Sequence, residues 1–235
     1  MLFGVGAEYY VDNWPAARHE YLSDQEADAL AVPDLSVSPV FVQLMEQVDL
    51  IEREFGRVAG YINWQGVLNT AFRIRGDQIF MDLMMNPERA HHLFDVVSET
   101  MIAGMKCLYD RQRKTGVDIH HATLSNCVVN MVSPQQYGEH LFPYDVKLSE
   151  AFQDFGIHNC AWNVDPYIED YARIAKLGYV DMGLDSDLVR ARELCPNARR
   201  AIMYKPTDLL SKSLDEIECD QQRIRRELSP CDIVL

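Results

Sequence analysis

No apolar run in this 235-residue chain approaches the roughly 18 residues that a membrane-spanning helix needs, so the sequence offers no candidate span. Positive charge is also scarce: 22 Lys and Arg stand against 36 Asp and Glu, for a formal net charge of −14. Phosphate backbones are gripped by clustered cations, so nucleic acid is not an expected partner, and an anionic membrane surface is disfavoured for the same reason. The N-terminus, MLFGVGAEYYVDNWPAARHE, lacks the basic end and apolar stretch of a secretory signal. A cytoplasmic, reducing setting is therefore expected. The six cysteines (Cys107, Cys127, Cys160, Cys195, Cys219 and Cys231) have none of the dense spacing of a disulfide framework, and they are expected as buried free thiols. Nucleotide fingerprints are missing too: no G-x-G-x-x-G or G-x-x-x-x-G-K-[ST] follows any candidate strand.

What is present is an alternation of strand and helix from about Arg57 onward. Candidate strands are Val58 to Trp64, Val117 to Thr123, Gly156 to Trp162, Tyr179 to Leu184, Arg199 to Tyr204 and Cys231 to Leu235. Between the first two, Asn86 caps a helix with Pro87 at its first position, its apolar residues Leu93, Val96, Val97, Met101, Met105 and Leu108 keep helical spacing, and Gly116 stops it. Ser133-Pro134 opens a helix bent or broken at Pro143, and Ser213 with Glu216 forms a capping box. Met81, Met84 and Met85 read as core gap-fillers.

Such alternation builds parallel β/α layers. Without a nucleotide motif to favour an open sheet, the expected fold is α/β, a (β/α)8 TIM-type barrel that is incomplete in this chain. About six strands are present, with the first two and the end of the last missing. Residues 1–57 read as an N-terminal loop and helix segment packing on the barrel, and 58–235 as the partial barrel.

Four segments carry a family pattern. GYINWQGVLNTAFRIRG (Gly60 to Gly76), MVSPQQYGEHLFPYDVKL (Met131 to Leu148), IHNCAW (Ile157 to Trp162) and LGYVDMGLDSDL (Leu177 to Leu188) resemble, in order, segments of the uroporphyrinogen decarboxylase superfamily. IHNCAW is similar to the H-x-C strand of its cobamide-dependent methyltransferase branch. The resemblance implies a barrel whose first two strands lie outside this chain. In the decarboxylases those strands bring a substrate-binding arginine and aspartate, which have no counterpart here. The decarboxylase tyrosine after the third barrel strand aligns with Phe72, which has no hydroxyl. The resemblance therefore implies methyl transfer, with zinc, a corrinoid carried by a partner protein, and a thiol or pterin acceptor. A cofactor-free decarboxylase of a tetrapyrrole-like acid is the alternative.

His158 and Cys160 are the sharpest chemical signal. Residues two apart on a strand share a face, so imidazole and thiolate would converge near the strand's C-terminal end, where barrel active sites lie. Zinc takes such ligands, although a core histidine and a buried cysteine would read the same way. The resemblance implies a later cysteine as third ligand, and Cys231 is the one near that position. If Cys231 starts the last strand, it stands roughly 16 Å from that end, at about 3.3 Å per residue, and is structural. If the strand lies earlier, around Arg226 to Ser229, Cys231 ends it and can ligate. A third ligand beyond Leu235 is the remaining option.

Asn63, Trp64 and Gln65 close the first strand with groups able to orient a substrate or cofactor. Of His120 and His121, alternation lets one face the barrel, with a satisfied core or surface histidine the plainer reading. Asp185 ends its strand as a candidate pocket acid. The expected partners are a small-molecule substrate and a corrinoid protein. The uncovered strand edges of an incomplete barrel invite pairing with another chain, which leaves room for a homodimer or for a fragment with no complete site.

Overall fold

In the computed structural model, which describes residues 2–13, 15–18 and 20–235, the chain divides into two compact units. The first comprises Met1–Ile62 and Val67–His120, and the second Asn63–Gly66 and His121–Leu235.

The first unit is helical apart from a short antiparallel ladder between β1 (Ala7–Glu8) and β2 (Ala16–Ala17). Its helices are α1 (Asp24–Asp28), α2 (Pro39–Phe55), α3 (Val67–Arg75), α4 (Gln78–Met85) and α5 (Pro87–Lys114). The α5 helix starts where its signals place it. The Asn86 side chain accepts from the Arg89 amide, Pro87 takes the first turn, and Gly116 follows the end at φ +81°. Leu93, Phe94, Val97, Met101, Met105 and Leu108 are buried along it, each contributing about 1.5–3 kcal/mol by leaving water.

Charge is buried here as well. Arg75 donates from Nε to Asp82 at 2.8 Å, from Nη1 to the Leu22 carbonyl at 2.6 Å, and from Nη2 to Asp24. Arg89 joins Asp28, Asp24 and Asp82. With Arg75 and Asp82 both almost fully buried, neither charge is tolerable without the other. The methionines of α4 are not gap-fillers. Ile79, Asp82 and Leu83 form its buried face at i, i+3 and i+4, which turns Met81, Met84 and Met85 outward, at 51%, 69% and 77% exposure.

The second unit carries a six-stranded sheet, all parallel and in chain order: β3 (Trp64–Gln65), β4 (His121–Ser125), β5 (Asp154–His158), β6 (Leu177–Met182), β7 (Arg199–Met203) and β8 (Asp232–Val234). Helices separate the later strands: α6 (Pro134–Gln136), α7 (Phe142–Glu150), α8 (Ile168–Ala172), α9 (Leu188–Leu194), α10 (Pro206–Ser211) and α11 (Leu214–Glu227). This is an α/β fold consistent with an incomplete TIM-type barrel.

The strand count matches expectation, but several ends move. The first strand shrinks from Val58 to Trp64 down to two residues, because β3 has β4 as its one strand neighbour among the described residues. The backbone before it is satisfied otherwise: Gln112 Nε2 donates to the carbonyls of Val58 and Gly60, and Thr115 Oγ1 accepts from the Val58 amide. The second strand slides from Val117 to Thr123 toward His121–Ser125. The third ends at His158 rather than Trp162. The break in the Ser133 helix comes at Tyr137–Leu141, a π-helical turn just before Pro143.

Candidate metal centre

Parallel pairing sets Ser125 of β4 beside His158 of β5, and the Asn126 amide extends the ladder by donating to the His158 carbonyl at 2.8 Å. Two residues beyond each partner come Cys127 and Cys160. The register therefore brings side by side two cysteines that are 33 residues apart in sequence, with Cα atoms 6.0 Å apart. Their sulfurs are paired as a disulfide. The expectation of buried free thiols fails at these two positions, because sheet adjacency rather than sequence spacing chooses the partner, and its burial part fails at Cys107 and Cys219, which are exposed. Cys107, Cys195, Cys219 and Cys231 are free.

Cys160 is not on the strand. It takes a left-handed conformation at φ +57°, uncommon for a residue with a Cβ. The turn, rather than strand alternation, carries its Sγ to 3.1 Å from His158 Nε2. Gly183, after β6, lets the neighbouring chain approach this turn: a Cβ there would lie 2.2 Å from the Ala161 carbonyl oxygen, and its amide donates to Trp162 O at 2.8 Å. The donor atoms of Cys127, His158 and Cys160 all lie within 4.8 Å of one another, each residue partly exposed, at the C-terminal ends of two adjacent strands.

Behind the imidazole stands Asp181, fully buried on β6. The β5–β6 register, Gly156 with Tyr179 and Ile157 with Val180, leads on to His158 opposite Asp181. One carboxylate oxygen sits 2.5 Å from His158 Nδ1 and accepts from Tyr179 Oη at 2.9 Å, and the other accepts from the Asn159 amide at 2.7 Å. A carboxylate on Nδ1 fixes the proton there and leaves the Nε2 lone pair facing the sulfurs, the arrangement that supports a metal-binding histidine. Burial, with the Asp181 carboxylate beside it, holds the Tyr179 phenol protonated. With its sulfurs as thiolates, the set supplies two sulfurs and one nitrogen to a tetrahedral cation and leaves one position open, which fits zinc. As a disulfide the sulfurs are not available to it.

Beneath the Cys127 turn lies a second buried carboxylate. Asp145 Oδ2 accepts from Asn126 Nδ2 and Tyr137 Oη, each at 2.8 Å. Burial pushes its pKa up to about 6, against the lowering effect of those two donors. Gly66 permits the close approach of β3's end, since a Cβ there would meet Asn126 Oδ1 at 2.0 Å.

The other sequence candidates are spread out. Asn63 and Gln65 are exposed at β3, with Asn63 Oδ1 accepting from Ser125 Oγ at 3.3 Å and Gln65 in register with Ser125. Trp64 is half-buried, its Nε1 enclosed and without a hydrogen-bond partner among the described residues. His120 is exposed just before β4, at the opposite end of that strand from the cluster. Asp185 lies past β6, exposed, and Lys205 at 2.8 Å holds its carboxyl below the usual range. Cys231 immediately precedes β8, where burial pushes its thiol up. It is not part of the three-residue cluster found among the described residues.

Sequence reasoning missed Cys127, Asp181 and Tyr179, which gather around His158. An aspartate inside the apolar strand YVDMG is a readable signal, since buried charge needs a partner. Cys127 becomes readable once the second strand is ended at Ser125.

No protein-family model matches the chain, and no curated protein matches it. Among solved structures, a methyltransferase from Methanosarcina mazei superposes with a TM-score of 0.73 at 16% identity, over 99% of this chain and 69% of that one. At that identity the likeness speaks for the fold. This chain shares the architecture of that methyltransferase.

Proposed function

We propose that the chain is a methyltransferase of the cobamide-dependent branch of the uroporphyrinogen decarboxylase superfamily, passing a methyl group from a corrinoid carried by a partner protein to a thiol acceptor. The observation that carries this reading is the convergence of His158 Nε2, Cys160 Sγ and Cys127 Sγ at adjacent strand ends, with Asp181 on the far nitrogen of the imidazole. The shared architecture with the Methanosarcina mazei methyltransferase supports it.

Transfer to sulfur needs a thiolate, since the thiol is a poor nucleophile. When bound, zinc lowers the pKa of a substrate thiol at its open position. The chain's own residues do the rest. Asp181 keeps the His158 proton on Nδ1, Tyr179 and the Asn159 amide hold Asp181 in place, and the turn at Cys160 presents its sulfur. Asn63 and Gln65 offer polar groups beside Ser125 to orient the acceptor, and Trp64 offers a ring to the corrinoid. His120 and Asp185 take no part in this scheme.

The test is demethylation of methylcobalamin by the reduced, zinc-loaded protein with a small thiol, followed by absorbance. The expected result is thioether formation that His158→Ala and Cys160→Ser each lower at least a hundredfold. Turnover unchanged in both variants would contradict the reading. Metal-free release of carbon dioxide from a tetrapyrrole-like acid would favour decarboxylation instead.

A further inference from the structure

We propose that Cys127 and Cys160 are a thiol–disulfide switch on the metal site: as thiolates they hold a zinc-type cation together with His158, and oxidation by a hydroperoxide closes the disulfide and releases the cation. This rests on the reading of the cluster as a metal site. The same two sulfurs are both members of the Cys127/His158/Cys160 donor set and partners in a disulfide, and one sulfur cannot be both at once. A Cα separation of 6.0 Å lies in the range that a disulfide spans without moving the backbone.

Access is available to a small oxidant, because Cys127, His158 and Cys160 are all partly exposed. No other pair competes within the described residues. Cys195 is buried, and burial raises its thiol to about 11, while Cys107, Cys219 and Cys231 remain free.

The chemistry balances with hydrogen peroxide as oxidant. One thiolate attacks a peroxide oxygen, the O–O bond breaks, and the resulting sulfenic acid is attacked by the second thiolate to form the S–S bond. Two thiolates, one peroxide and two protons give one disulfide and two waters, and the zinc ion departs with its charge unchanged. A dithiol reductant reverses the step. His158 keeps its bond to Asp181 in the disulfide form, so half of the site stays in place for reloading.

The experiment uses the full chain, reduced under nitrogen, loaded with zinc and freed of excess. Peroxide is titrated in while a chromophoric chelator reads released zinc and a denaturing assay counts thiols. The expected result is one zinc released for each two thiols lost. The total then falls from six cysteines to the four that are free in this structure. Digestion should show Cys127 linked to Cys160, and dithiothreitol should restore zinc binding. Cys127→Ser should form no intrachain disulfide and bind zinc at least tenfold more weakly, whereas Cys231→Ser should match the parent in both. The wild-type titration carries the test even if Cys127→Ser fails to fold. Zinc that stays bound through peroxide treatment, or thiol loss mapped to Cys107 or Cys219, would overturn the switch and leave the metal site standing. Reduced protein that binds no zinc would overturn both.

Discussion

Both units bury carboxylates, but they satisfy them in opposite ways. In the helical unit Asp82 meets Arg75 and Arg89, cation against anion, and the network ties α1, α3, α4 and α5 together. In the sheet-bearing unit Asp145 and Asp181 receive amides, phenols and an imidazole rather than guanidinium groups. The buried Arg200 of that unit donates to the carbonyls of Cys195, Pro196 and Pro230. A carboxylate paired with arginine is spent on holding the fold. One held by neutral donors has no guanidinium partner, and Asp181 stands directly behind the histidine of a Cys/His cluster. Buried carboxylates are thus ion-paired with guanidinium groups in one unit and met by amides, phenols and an imidazole in the other.

The largest effect is expected at Arg75, the buried cation of the helical unit. Arg75→Ala leaves Asp82 buried with half its partners gone, and urea unfolding should register a loss of about 3–5 kcal/mol. A loss within about 0.5 kcal/mol would mean the network is solvated and not structural.

Asp145 gives the next effect. Its folded-state pKa of about 6 lies above the ordinary carboxyl value, so the folded protein holds an extra proton between about pH 4 and 6. Stability should fall as pH rises through that window, by on the order of 2–3 kcal/mol, with the loss complete above it. Asp145→Asn, which can still accept from Tyr137 and Asn126, should remove that part of the slope when urea melts at about pH 4 and 7 are compared. Parallel profiles in the two proteins would contradict the burial argument.

A smaller effect is expected from Asp181→Asn. The variant keeps an oxygen acceptor but loses the charge behind His158, and zinc affinity should drop roughly 10–100-fold in a chelator competition. An unchanged affinity would reduce Asp181 to a structural residue. Least of all, Cys231→Ser should change zinc affinity by less than about twofold, since Cys231 precedes β8 and lies outside the cluster.

Much of the fold is legible from local chemistry. Asn86 and Pro87 start α5, Ser213 and Glu216 cap α11, and six strands alternate with helices in the expected order. Strand ends are less legible, because they depend on a neighbour's register: β3 shortens and β4 slides four residues at its start, from Val117 to His121. The site inherits that error. His158 and Cys160 stand out as a pair, yet they meet through a left-handed turn rather than a shared strand face. Cys127 comes beside them only through the pairing of Ser125 with His158, which local sequence does not encode. The outward methionines of α4 teach the same lesson, since composition proposes burial and packing decides which face receives it.

Shared binding of one metal ion by Cys127, His158 and Cys160 is open to zinc-edge X-ray absorption on the reduced, zinc-loaded protein. The prediction is a first shell of two sulfurs at about 2.3 Å and one imidazole nitrogen at about 2.0–2.1 Å, with one further light atom. A shell of nitrogen and oxygen alone would contradict it.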